Sequence, residues 1–197
     1  SMKCLINIGP KAVPLITENL KSESSDVVIH SITTLGHIGD DKALPAIQKI
    51  LNAQPEDSNI RFAIYEAMER IPSSKSAICL ANGLHDPEEQ VRMAAAKAVD
   101  KNLSPVLLAG MKNMISNEDA QSELIVGALI NSGSEEIFQN LSELPSFKTI
   151  AKKHISTGIY PEAKDRFIQV MKKIGDTAFA AEIEKIGQPE SGENKVV

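Results

Sequence analysis

One helical unit recurs along this chain about every thirty residues. Residues 27–40, VVIHSITTLGHIGD, have apolar side chains every three or four positions, which places them on one face of a helix. Ser25 and Asp26 precede this run, where a side-chain oxygen can cap the free amide groups, and Gly39 suits the left-handed residue that ends a helix. A second apolar run at 42–51 completes a helical hairpin. One such hairpin cannot bury its apolar faces alone.

Equivalent hairpins start at Val27, Ile60, Val91 and Gln121, at offsets of 33, 31 and 30 residues. The same glycine stop stands at three places: Gly9, Gly39 and Gly133. A near-constant period in this range is typical of a solenoid, in which each unit buries its apolar face against the next. The third hairpin also has a helix-start signal, with Asp86 as cap, Pro87 at the first helical position and Glu89 at the third.

The repeats predict an all-α fold, a right-handed α-solenoid of about five helix pairs with an incomplete first pair. We expect the array to occupy residues 1–144 and a three-helix C-terminal extension to occupy residues 145–187. The extension either caps the array or forms a separate docking bundle. Residues 188–197 have the Gly, Pro and Ser content of a linker, which we interpret as leading into a further domain.

Two segments carry a family resemblance. VRMAAAKA at 91–98 and LGHIGD at 35–40 resemble the two halves of the short HEAT-like repeats that are also found in phycobilisome lyases. The resemblance covers residues 5–144 and implies a solenoid of HEAT-like hairpins. It implies little about function, because such arrays serve many unrelated roles.

Composition and charge exclude several classes of partner. The chain has a net charge of −5, and residues 1–144 carry 12 basic and 19 acidic side chains, whereas residues 145–187 are net positive. HEAT-like DNA glycosylases need a basic, aromatic-bearing concave face, but aromatic residues make up only 4% of this chain. We therefore expect no nucleic-acid partner. No apolar run is long enough for a membrane span and no signal pattern is present, so we expect a cytoplasmic protein without a membrane partner.

The sequence contains no recognisable catalytic or metal-binding motif. Cys4 and Cys79 lie among apolar residues and are expected to be small buried side chains. His30 and His37 are seven residues apart, about 10 Å along a helix, which is too far for one metal ion. The His-Glu pairs of iron-binding HEAT-like hydroxylases are missing. We therefore expect no cofactor, no metal and no enzymatic activity.

Binding of a protein or peptide partner is the remaining class of function. The second helices of such solenoids line the concave face, and aligning them at Leu20, Leu51, Leu84 and Ile115 gives a ridge of outward positions. The predicted partner-binding residues are Thr17, Glu18, Gln48, Lys49, Ala81, Asn82, Lys112 and Asn113. Ordinary solvated helix faces are the alternative interpretation of this ridge. Two narrower roles stay open: a regulatory module beside a receiver-type signalling domain, and a chromophore-lyase-like accessory subunit.

Overall fold

The computed structural model describes residues 2–132, 134–158 and 161–186, and every regular element in these ranges is helical. The all-α solenoid is confirmed. The helices are α1 Met2–Ile8, α2 Val13–Asn19, α3 Ser25–Ile38, α4 Leu44–Asn52, α5 Ser58–Arg70, α6 Ala77–Gly83, α7 Glu89–Lys101, α8 Pro105–Ser116, α9 Ala120–Ser132, α10 Glu135–Leu141, α11 Pro145–Ser156, α12 Pro161–Lys173 and α13 Thr177–Lys185.

The helices stack in two layers, and each second helix packs on the first helix of the following pair: α2 on α3, α4 on α5, α6 on α7 and α8 on α9. The first helices of the pairs, α1, α3, α5, α7, α9 and α11, pack side by side in one layer. The second helices form the other layer, in which α6 packs on α8, α8 on α10 and α10 on α12. A single apolar core runs between the layers from Ala12 to Ile183. Each pair therefore buries its apolar face against its neighbours, as the repeat period predicts.

Short 3-10 turns begin three of the second helices, at Gly9–Ala12, Asp41–Ala43 and Ser74–Ser76. Asp40 accepts a hydrogen bond from the backbone N–H of Lys42, and Ser73 accepts one from Lys75. These caps satisfy amide groups that the tight turn leaves free. Each 3-10 turn also places one exposed lysine at the start of its second helix: Lys11, Lys42 and Lys75.

Two of the predicted helix starts are wrong. Ser25 is already helical, Asp26 lies in the first turn of α3, and the N-cap residue Ser24 makes no side-chain cap bond. Helix α7 begins at Glu89 rather than at Pro87. Asp86 instead accepts the backbone N–H of Glu88 at 3.0 Å and pairs with Arg61 across the turn. The carboxylate of Asp86, which the sequence predicts as the cap of α7, therefore forms an ion pair with another helix instead.

The glycine stops are confirmed where the structure describes them. Gly9 and Gly39 have φ angles of 70° and 75°, in the left-handed region that glycine occupies without steric cost. Gly133 lies outside the described residues. Gly36 is required for close packing and not for a left-handed turn, because a Cβ added there would lie 2.9 Å from the Cα of Ala67. Helices α3 and α5 therefore cross backbone to backbone at this point.

Stacking continues beyond the predicted end of the array. Helix α11 packs on α9, as α9 packs on α7, and α12 packs on α10 in the layer of second helices. Helix α13 then packs on α12 and α11. The predicted boundaries at 144 and 187 are not tested by these contacts and stay a prediction, and residues 187–197 lie outside the described residues.

The lysines that make residues 145–187 net positive are mostly paired. Lys153 and Lys173 form ion pairs with Glu123 and Glu135 of the array. Within the extension, the pairs are Lys148 with Asp176, Lys152 with Glu182 and Lys172 with Glu184. These pairs tie the extension to the array and to itself, which favours capping over docking of an acidic partner.

Candidate partner-binding face

The second helices present two rows of exposed side chains, four residues apart within each helix. We call the first the polar row: Glu18, Lys49, Asn82 and Asn113. We call the second the apolar row: Pro14, Pro45, Ile78 and Ala109. Residues four apart lie on the same side of a helix, so the two rows form one continuous face across α2, α4, α6 and α8.

Half of the predicted partner-binding residues lie on this face. They are the members of the polar row. The other four, one position earlier in each helix, are less exposed than the members of the polar row. Thr17, Gln48 and Lys112 are half-buried. Gln48 Nε2 lies 3.4 Å from both Lys75 O and Ser76 Oγ, and it donates across the boundary between two pairs.

The prediction for Ala81 is wrong, because this residue is only 8% exposed. It belongs to α6, which packs against α8. The alignment identified equivalent positions correctly, but a helix flanked by two others in a layer has a narrower solvent face than a helix on the surface of a globule.

The apolar row was missed from sequence. Ile78 is 74% exposed, and Leu15 of α2 and Val106 of α8 are 66% and 70% exposed. The available signal was the spacing of four residues between Ile78 and Asn82. A hydrophobic residue on a helix suggests the core, so the pattern alone hides an exposed one.

A groove of about 640 Å³ opens at one end of this face. It lies between the C-terminal ends of α4 and α6 and between the turns that follow these helices, at 53–57 and 84–88. Ile78 and Asn82, one member of each row, are among its lining residues. The volume falls within the range of about 300–1,000 Å³ that is usual for ligand sites.

Arg61 braces the back of the groove. Its Nε donates to Asp86 Oδ2 at 2.8 Å and its Nη2 donates to Asp86 Oδ1 at 3.2 Å. The side chains of this two-point ion pair are largely buried, since Arg61 is 14% exposed and Asp86 is 9% exposed. Its Nη1 donates to the carbonyl oxygens of Pro55 and Glu56. The hydrogen bonds that Arg61 donates to the Asp86 carboxylate raise the pKa of Arg61. The guanidinium therefore holds both turns and neutralises Asp86.

The side chain of Tyr65, a residue of α5, packs against α6 at the base of the groove. Its hydroxyl donates to the carbonyl oxygen of Cys79 at 3.2 Å, and burial raises its pKa. A Cβ at Gly83 would lie 2.4 Å from the tyrosine ring, so this glycine makes room for it.

Cys79 is half-buried and burial raises its pKa, whereas Cys4 is exposed, which corrects the expectation of a buried thiol there.

Two further carboxylates and a histidine face the groove. Glu56 and Glu88 are exposed, one on each turn, and neither forms an ion pair within the part of the chain that the structure describes. The Nδ1 atom of His85 is shielded from solvent and has no hydrogen-bond partner. The groove thus carries exposed negative charge on both of its turns.

Neither a metal centre nor a membrane span is found in residues 2–132, 134–158 and 161–186. In these ranges no three His, Cys, Asp or Glu side chains are grouped closely enough to hold an ion. No helix among them has both the length and the apolar character that crossing a bilayer requires.

Comparison with known proteins assigns the repeats. Residues 13–100, which run from α2 to α7, match the family model described as HEAT repeats. The matched segment includes the groove and three of the four second helices that carry the two rows.

A solved complex of CpcE and CpcF of phycocyanin lyase from Nostoc sp. PCC7120 contains a chain similar to this one. The two are 22% identical, with a TM-score of 0.47, over 88% of this chain and 72% of the other. No curated protein sequence matches this chain significantly.

Proposed function

We propose that this HEAT-repeat chain is a non-enzymatic scaffold that binds a partner protein on the face formed by its polar and apolar rows. The observation that carries the proposal is the apolar row, in which Ile78 stands exposed beside polar neighbours on the same face. An apolar patch bordered by polar side chains is the usual composition of an interface, where the apolar centre supplies most of the affinity.

The position of the face supports the same function. HEAT repeats place equivalent side chains of successive second helices in register, so a long partner can contact several repeats at once. The rows extend over four second helices, which suits a helical or extended segment better than a small molecule. The acidic array supports the absence of a nucleic-acid partner.

Two narrower roles use the same face with different partners. In one, the chain is the regulatory module of a multidomain signalling protein. In the other, it is a chromophore-lyase-like accessory subunit that binds a second subunit. We propose a cytoplasmic setting for either role. A captured receiver-type domain would support the first role, and a captured lyase subunit the second.

Capture from a cell extract with chemical cross-linking tests the scaffold function. The variant Lys49→Ala/Ile78→Ser/Asn82→Ala removes three exposed side chains of the face, so we expect loss of the captured partner without loss of helix content. The matched control is Glu89→Ala/Met93→Ser/Lys97→Ala, on the exposed side of the first helix α7. Equal capture by both variants would show that the partner binds elsewhere.

A further inference from the structure

We infer that the groove between α4 and α6 receives an arginine or lysine side chain of the partner, so that the bound segment is basic as well as apolar. This inference rests on the proposed binding face and names the chemistry of its occupant. The groove supplies three features that a long cationic side chain needs: free negative charge, hydrogen-bond acceptors and an apolar surface for the methylene groups.

The free charge comes from Glu56 and Glu88. They stand on opposite turns and are exposed. Arg61 donates its hydrogen bonds to Asp86 and to two backbone carbonyl groups, so it makes no hydrogen bond to either glutamate side chain, although the charge of Glu88 contributes to the raised pKa of Arg61. A cation placed between the two glutamates gains two attractive interactions at once. An anionic side chain would meet the same two carboxylates and be repelled.

The surroundings extend this preference beyond the groove. The turns that join successive pairs, at 20–26, 53–59, 84–90 and 116–120, hold nine acidic residues and one basic residue. The turns inside the pairs, at 9–12, 39–43 and 71–76, hold two acidic and three basic residues. The electrostatic potential therefore becomes more negative across the face toward the groove, which orients the basic part of a partner to this edge.

The hydrogen-bonding groups suit a guanidinium or ammonium group. Both cations carry only donors, and the residues that line the groove include Asn52, Asn82 and Glu88, whose side chains offer oxygen acceptors. Ile78, at the rim, can cover the methylene stem of an arginine or lysine while the charged end reaches the glutamates. The apolar residues of the same segment then lie along the apolar row.

Peptide titration followed by NMR tests the occupant directly. The probes are two capped peptides, GLRALRALG and GLEALEALG, which differ only in the sign of their charged residues. With the full chain, we expect the arginine peptide to shift the signals of the Asn52 and Asn82 side-chain amides and of the His85 ring in a saturable manner. We expect no shift of these signals with the glutamate peptide.

Paired variants separate the groove from general electrostatic attraction. Glu56→Gln/Glu88→Gln should weaken binding of the arginine peptide about tenfold, the factor that corresponds to about 1.4 kcal/mol. The control Glu23→Gln/Glu118→Gln makes the same change in net charge on exposed residues of the same edge outside the groove, and it should leave the affinity within about twofold. Equal weakening by the two variants would overturn the inference.

Other outcomes distinguish this inference from the proposed function. Preferential binding of the glutamate peptide, with shifts near Lys11, Lys42 and Lys75, would overturn the basic occupant while supporting the face as a binding surface. Binding of neither peptide, together with loss of partner capture by the Lys49/Ile78/Asn82 variant, would likewise reject the groove and retain the scaffold. Unchanged capture would reject the face itself.

Discussion

Gly36 is the residue at which two helices of the first layer approach each other backbone to backbone. Its missing side chain lets α3 approach α5, and the obstacle to a larger residue is the backbone of Ala67 rather than a flexible side chain. Gly110 in α8 has open space around its Cα. The two glycines therefore respond oppositely to the same substitution.

We expect Gly36→Ala to lower the free energy of unfolding by about 1–3 kcal/mol, because the added methyl group forces two helices apart. Gly110→Ala should raise it by about 0.5–1 kcal/mol, since alanine favours the helical backbone and meets no neighbour. Urea denaturation of the two variants measures both changes. A stabilised Gly36→Ala would show that α3 and α5 can separate without cost.

Asn102 is a buried polar side chain with three hydrogen bonds. Its Oδ1 accepts from the backbone N–H of Ser73 at 2.6 Å, and its Nδ2 donates to the carbonyl oxygens of Met68 and Ala98. It is 7% exposed, so no solvent can replace these bonds. The residue joins the end of α7 to the turn of the preceding pair.

We expect Asn102→Ala to lower the free energy of unfolding by about 2–3 kcal/mol, because it leaves a buried donor and buried acceptors without partners. Asn113→Ala, which truncates an exposed asparagine in α8, should change it by less than about 0.5 kcal/mol. Thermal and urea unfolding would provide the comparison, and similar losses for both variants would contradict the role of Asn102.

At the residue scale, the sequence predicted backbone conformation better than it predicted how deeply a side chain is buried. Gly39 was identified because a glycine after an apolar run has a local cause. The need for glycine at Gly36 and the burial of Ala81 depend on how closely a second helix approaches, and periodicity gives the direction of a side chain but not that distance. For the same reason the exposed Ile78 was not recognised.

Arginines anchor the turns between pairs in a repeated arrangement. Arg61 Nη1 donates to the carbonyl oxygens six and five residues before it, and Arg92 Nη1 does the same with Asp86 and Pro87. Arg61 alone adds the two-point pair with Asp86 of the next turn. Two successive turns are thus held in a fixed relation at the groove.

We expect Arg61→Lys to loosen both turns although the charge is kept, because a lysine cannot make the planar two-point pair and reach the carbonyl groups together. Amide hydrogen exchange should accelerate at Glu56, Asp57, Asp86 and Glu88 and stay unchanged in α3. Arg70→Lys, on an exposed arginine of the same helix, is the control and should not affect the turns. Unchanged exchange in Arg61→Lys would contradict this anchoring role.

At the element scale, the number and order of helices were accessible from sequence because each follows from a local apolar period. The 3-10 starts of the second helices and the late start of α7 were not. They depend on where carboxylates such as Asp86 find partners, and those partners lie in other pairs.

The two ends of the molecule have different packing. Four phenylalanines, Phe138, Phe147, Phe167 and Phe179, come one each from α10, α11, α12 and α13, and their ring centroids lie 5.0–6.3 Å apart in successive contacts. Mostly alanine and branched aliphatic side chains fill the core of the preceding pairs. The C-terminal helices thus share one aromatic cluster centred on Phe167.

We expect Phe167→Ala to lower the stability of these four helices by about 3–5 kcal/mol, the usual cost of removing a buried phenylalanine. Because a solenoid is stabilised by contacts between neighbours, the loss should stay near that end. Hydrogen exchange should accelerate in α10–α13 and remain nearly unchanged in α3 and α5. Uniform acceleration along the chain would show that the array unfolds as one cooperative unit.

The sequence predicted the solenoid, and the end of its repeat pattern at residue 144 stays a prediction. Helices α11 and α12 keep the stacking positions of a further pair although their aromatic side chains no longer match the pattern of the earlier repeats. These two helices keep the packing position because any helix with one apolar face can cover the last pair. The sequence pattern of the earlier repeats requires particular side-chain sizes, so it is lost more easily than the position.

The contact between Tyr65 and Gly83 limits how this chain can be recombined. The glycine accommodates the tyrosine of α5 and also faces Ala95 of α7, at 2.7 Å from the position of its missing Cβ. A chimaera that exchanged α6 alone would bring a larger residue against the ring, and one that exchanged α5 alone would leave a void. A single hairpin is therefore not an exchangeable unit in this part of the chain. A chimaera that keeps α5, α6 and α7 together preserves these contacts.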